Sequence, residues 1–132
     1  MFDVALPHAQ EMLTDFGEFY PYAMKMLDDG STQGVAIKPG KVARPRSRTM
    51  LETLYERLAA EASALRAVAF VADVLLTSDT SPIDAIRVDV EHREGVAIAV
   101  LVPYVKKGEH ERPDFGEPHA ARGVRRLWPA TA

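Results

Sequence analysis

From Ile83 to Val105 (IDAIRVDVEHREGVAIAVLVPYV) apolar and polar residues alternate, which predicts two antiparallel strands joined at Arg93-Glu94-Gly95. The pleat chooses the register, because a slip of one residue sends every side chain to the opposite face. A three-residue loop with Gly95 left-handed pairs Val90 with Ile98, Val88 with Val100 and Ile86 with Val102, a continuous β-branched face. A two-residue loop at Glu94-Gly95 would instead leave Ile98, Val100 and Val102 beside Arg87, Asp89 and Glu91. The first register is therefore expected. Its reverse face sets Arg87, Asp89 and Glu91 against Ala97, Ala99 and Leu101, a half-polar surface that cannot be the main core and faces water or a partner.

Upstream, Pro7 followed by HAQEMLTDF predicts a first helix with proline at its first position and Gly17 as the stop. Leu6, Ala9, Met12, Leu13 and Phe16 would form its buried stripe. Asp29-Gly30 signals a hairpin with a two-residue turn, pairing Tyr22 with Ile37 and Met24 with Val35. A second helix, the longest, is predicted from a cap at Ser47 or Thr49 through Leu65, with Met50, Leu51, Leu54, Tyr55, Leu58 and Ala62 at helical spacing. Residues 66–77, RAVAFVADVLLT, are apolar at both parities, so this strand needs cover on both faces.

After Val105 the texture changes to a charged segment broken by Pro113 and Pro118, within which Ala120 to Leu127 could make a short helix or a docked strand. The chain is expected to be a single domain over 1–132, with 106–132 a less regular C-terminal segment. The order α-β-β-α-β-β-β predicts an α+β fold: a two-layer sandwich of a mostly antiparallel five-stranded sheet and two main helices. In that order of elements, over residues 6 to 105, the chain resembles the roadblock/longin arrangement of small scaffold domains. The resemblance rests on order and not on any sequence motif. It implies a scaffold role, and a plain helix where this chain carries its charged C-terminal segment.

Composition narrows the class. The 132 residues, 47% hydrophobic and 27% charged, suit a globular domain and not a disordered chain. Sixteen basic against nineteen acidic residues leave a net charge of −3, which argues against sequence-independent nucleic-acid binding. The absence of cysteine excludes disulfides and thiolate chemistry. The first residues, MFDVALPHAQEM, are neither signal peptide nor membrane span, so a cytoplasmic location is expected.

Three constellations carry candidate chemistry. Lys38 to Arg48 holds five basic residues in eleven, and Arg44, Arg46 and Arg48 lead into a helix N-terminus, where amides and dipole favour an anion. The loop lacks a glycine-rich phosphate motif, and a solvated loop is the competing reading. Arg87, Asp89 and Glu91 share one strand face and could serve as acid and base or as a recognition face, while cross-strand ion pairing explains them equally well. His92, on the other parity, reads as a structural residue. Glu109, His110, Glu111, Asp114, Glu117 and His119 fall close together but match no metal-ligand spacing, so a solvated tail is expected. No nucleophile motif is present, and no metal or cofactor is expected.

The function expected from the sequence is a non-enzymatic interaction or scaffold module that works through a protein partner and as a homodimer. Two helices are expected to cover only one face of the strand 66–77, and a meander of the strands after the second helix would leave one of its edges open, so that Val68, Phe70, Val71 and Leu75 would meet a second copy. The competing arrangement closes that edge with the first hairpin or the C-terminal segment. The alternative function is a small-molecule or anion-binding domain, with or without catalysis, built on the loop 38–48 and the Arg87, Asp89, Glu91 face.

Overall fold

The computed structural model describes residues 1–37, 47–77, 81–108 and 111–129. Two strands, β4 (Ile83–His92) and β5 (Ala97–Val105) in chain order, form the expected hairpin, with Val90 opposite Ile98, Val88 opposite Val100 and Ile86 opposite Val102. The loop is Arg93-Glu94-Gly95: the Val96 carbonyl accepts from His92 N at 2.8 Å, and Gly95 takes φ 109°. Ile86 and Val88 are fully buried.

The first hairpin departs from expectation by one residue. Its strands, β1 (Tyr22–Leu27) and β2 (Thr32–Ala36), pair Tyr22 with Ala36, Ala23 with Val35 and Met24 with Gly34. The turn is a three-residue loop, Asp28-Asp29-Gly30, closed by Leu27 N donating to Ser31 O at 2.9 Å, with Gly30 at φ 87°. Asp29 Oδ1 accepts from Ser31 N at 2.8 Å and Ser31 Oγ at 2.6 Å, and this side-chain closure favours the longer loop. The slip places Val35 and Ile37 on the face of Ala23, where both pack against a buried cluster.

That cluster belongs to the second helix, α2 (Ser47–Ala59), and it corrects the expected two layers. The long strand β3 (Leu65–Leu76) is central, paired with β1 on one side and β4 on the other. Ala5, Ala9 and Leu13 of the first helix, α1 (Phe2–Phe16), pack with Ala69, Val71, Ile86 and Val88 on one sheet face. Leu54 and Leu58 of α2 pack with Ala23, Val68 and Phe70 on the other. The sheet therefore lies between its helices. β1 is antiparallel to both β2 and β3, so β2 and β3 run parallel, and the connection between them through α2 crosses over β1. This is the cover that the two apolar parities of β3 demand.

The helices also differ in detail. α1 starts at Phe2 and carries Pro7 inside it; the missing donor leaves only the carbonyl of exposed Asp3 unpaired within the helix, where water can serve it. Its buried line is Ala5, Ala9 and Leu13, and Phe16 is 76% exposed. Gly17 ends it with φ 77° and an N–H to Leu13 O. α2 stops at Ala59, short of Leu65, which opens β3 in a fully buried position; α1, with 15 residues against 13, is the longer helix.

Two short strands complete an α+β fold whose antiparallel sheet has seven strands among the described residues and not five: β6 (Asp114–Phe115) and β7 (His119–Arg122), both paired with β5. The sheet order is β2-β1-β3-β4-β5-β6, with β7 beside β5. Beyond β7, residues 123–129 turn onto the α2 face, where Leu127 and Trp128 join the α2 cluster.

Candidate functional site

α2 packs over β1 and β3, and Arg87 and Asp89 of β4 lie beside it. Between them lies an open cleft of about 480 Å³. Phe70 and Ala72 of β3 form its floor, α2 contributes Arg48, Leu51, Glu52 and Tyr55, β4 contributes Arg87 and Asp89, and Arg126 from the C-terminal segment lines it as well. The half-polar sheet face is thus the wall of a concavity.

Its charges are arranged and not scattered. Arg87 donates to Asp89 through Nε at 2.9 Å and Nη2 at 3.1 Å, which fixes the guanidinium and raises its pKa further. Two of five donors are used, and the Arg87 side chain is 44% exposed. The Arg126 guanidinium carbon sits 4.5 Å from the centre of the Tyr55 ring, which meets Phe70 edge-on at 4.4 Å and 74°. Burial pushes the Tyr55 hydroxyl above its usual pKa, opposed by the field of Arg126. Arg48, side chain 90% exposed, faces Glu52 at 3.4 Å. Asp73 borders the cleft, but its carboxylate accepts from the hydroxyl of Tyr104, a residue of the α1 face.

Glu91 shares the strand face of Arg87 and Asp89 yet is only 3% exposed. Its carboxylate accepts from three consecutive backbone amides: Arg126 N at 2.8 Å, Leu127 N at 3.0 and 3.2 Å, and Trp128 N at 2.8 Å. Such hydrogen bonds to a carboxylate offset its burial. Residues 123–129 form a strap held by this carboxylate, by Gly123 N donating to Ala97 O at 2.9 Å, and by Leu127, 8% exposed in the α2 cluster.

Of the residues singled out in the sequence, Arg48, Arg87 and Asp89 meet in the cleft, while Arg44 and Arg46 lie outside the described residues. Glu91 is taken up by the strap and not by an open face. Val68, Phe70 and Val71 are buried within the chain and β1 occupies the β3 edge, so the open edge behind the expected self-contact is absent there; Leu75 is 60% exposed. His92 Nδ1 accepts from Glu94 N at 3.1 Å inside its own turn. Among the described residues no three of His, Asp and Glu converge on a metal position; Glu109 and His110 lie outside them. Tyr55 and Arg126 were not legible as site residues, and Phe70 was singled out only for contact with a second copy. The one signal was Arg125-Arg126-Leu127-Trp128, two basic residues and two large apolar ones in a charged tail.

Comparison with protein-family models, curated proteins and solved structures found no match. Among the described residues no helix is long and apolar enough to cross a membrane.

Proposed function

We propose that the protein is a binding module whose α2 cleft takes a small organic anion, a phosphate or carboxylate carried on an apolar, preferably aromatic, body. One observation supports this reading above the rest: Arg48, Arg87 and Arg126, from distant parts of the chain, line one concavity over the Tyr55–Phe70 pair. Guanidinium groups recognise planar or tetrahedral oxyanions through paired N–H donors, and Arg87 is oriented in advance by Asp89. Leu51, Tyr55 and Val74, partly exposed in the cleft lining, offer the apolar surface on which small-molecule sites gain most of their affinity. No chemical step is required.

Phenyl phosphate tests it. At a hundred times its dissociation constant it should stabilise the chain by about 2.7 kcal/mol in thermal melts. Arg87→Ala with Arg126→Ala should abolish the shift. No shift at millimolar ligand, or one untouched by that double substitution, removes the reading.

The interaction-module reading keeps one point of support of its own. Among the described residues β2 pairs with β1 alone, while β1 fills the β3 edge from Leu65 to Val71, so a partner strand or a second copy would add at β2. Sedimentation equilibrium separates the two readings, because ligand binding at the cleft needs no change of mass.

A further inference from the structure

We infer that the strap, residues 123–129, is a ligand-responsive element latched by Glu91, and that Glu91 is a positioning residue holding Arg126 in the cleft. The inference rests on the cleft being a ligand site. Arg48 and Arg87 belong to α2 and β4, whereas Arg126 belongs to a segment outside any helix or strand. Three successive amides converge on Glu91, one of them that of Arg126 itself, so the carboxylate fixes the backbone that carries the guanidinium. The strap follows β7, whose four residues are all exposed, and only Leu127 of the strap is fully counted in the buried core. A segment with so few buried contacts opens more readily than the sheet it lies on.

Undocking would withdraw Arg126, uncover the ring face of Tyr55 that it occupies, and leave Glu91 without its backbone donors. An anion bridging Arg87 and Arg126 would tie the strap to β4. The site that binds anion and the segment that opens are therefore one coupled equilibrium: ligand favours the docked strap, and the docked strap favours ligand by the same factor.

Amide hydrogen exchange at Leu127 and Trp128, followed by NMR on the whole chain with and without phenyl phosphate, tests the coupling. In the unaltered protein, phenyl phosphate at a hundred times its dissociation constant should slow both amides at least about tenfold, because the opened strap binds the anion poorly. Glu91→Gln, which presents N–H where two backbone donors need an acceptor, should speed their exchange without ligand and weaken phenyl phosphate binding. Continued protection of the β3 amides shows that this variant is folded. Arg126→Ala keeps the carboxylate and its amides, so its strap docks, yet ligand-dependent slowing should vanish. Binding that leaves Leu127 and Trp128 exchange unchanged, or slowing that survives Arg126→Ala, overturns the coupling and spares the binding function. Failure of phenyl phosphate to bind the unaltered protein overturns both.

Discussion

The Tyr104 hydroxyl donates to Asp73 Oδ1 at 2.6 Å and so joins β5 to β3 across β4. Burial raises the pKa of Asp73, the bond from Tyr104 opposes that rise, and the nearby Asp84 adds to it. The folded state therefore holds this proton to higher pH than the unfolded chain does. Its contribution to stability is complete below the unfolded value of about 4 and is lost as pH rises through the raised folded value. Urea melts should show wild type falling relative to Asp73→Asn across that window. Tyr104→Phe should push Asp73 higher still and widen it. A wild-type to Asn difference that is flat with pH contradicts this account.

Val88 and Asp89 are neighbours on β4 that point to opposite faces, one fully buried beneath α1 and the other lining the cleft. Val88→Asp should cost at least about 3 kcal/mol, because it buries an unpaired carboxylate. Asp89→Val should cost under about 1 kcal/mol, since it removes one partly exposed ion pair. Equal shifts in urea midpoint would mean that the faces are wrongly assigned.

Gly123 is where the strap leaves β7. A Cβ there would lie 2.8 Å from Ile98 N and 2.9 Å from the Ala97 carbonyl carbon, both backbone atoms of β5 that cannot turn aside. Gly123→Ala should destabilise by about 1–3 kcal/mol, the usual range for overpacking, and should speed exchange of the Leu127 amide. Unchanged melting together with unchanged exchange would show that the close approach is absent in solution.

Replacing Arg44, Arg46 and Arg48 with Ala should leave the urea midpoint nearly where it is, since exposed Arg48 contributes only an i,i+4 pair with Glu52. Phenyl phosphate affinity should fall all the same. A large loss of stability would show that these side chains support the fold.

The two hairpins show what the pattern could and could not convey. For β4 and β5 the competing registers separate Ile98, Val100 and Val102 from either valines or charges, a contrast too large to miss. For β1 and β2 the apolar pattern favours the two-residue turn, pairing Tyr22 with Ile37 and Met24 with Val35, whereas the observed register sets Tyr22 opposite Ala36 and Met24 opposite Gly34; the three-residue loop carries Asp29 bonded to Ser31, a local contact that an Asp-Gly pair does not announce. The face chosen by α2 was hidden because β3 is apolar on both sides. Arg87 and Asp89 could be placed on a face by parity, but the cleft needs α2 beside them. The burial of Glu91 was invisible because its partners are backbone amides 35 to 37 residues further on, which carry no side-chain signature.

The two clusters also differ in how much chain they need. Every fully buried member of the α1 cluster lies between Ala5 and Tyr104, whereas the α2 cluster includes Leu127. The buried part of the first face can therefore assemble from residues up to Tyr104 alone. The second is not complete until the strap docks, and until that moment Glu91 keeps its water.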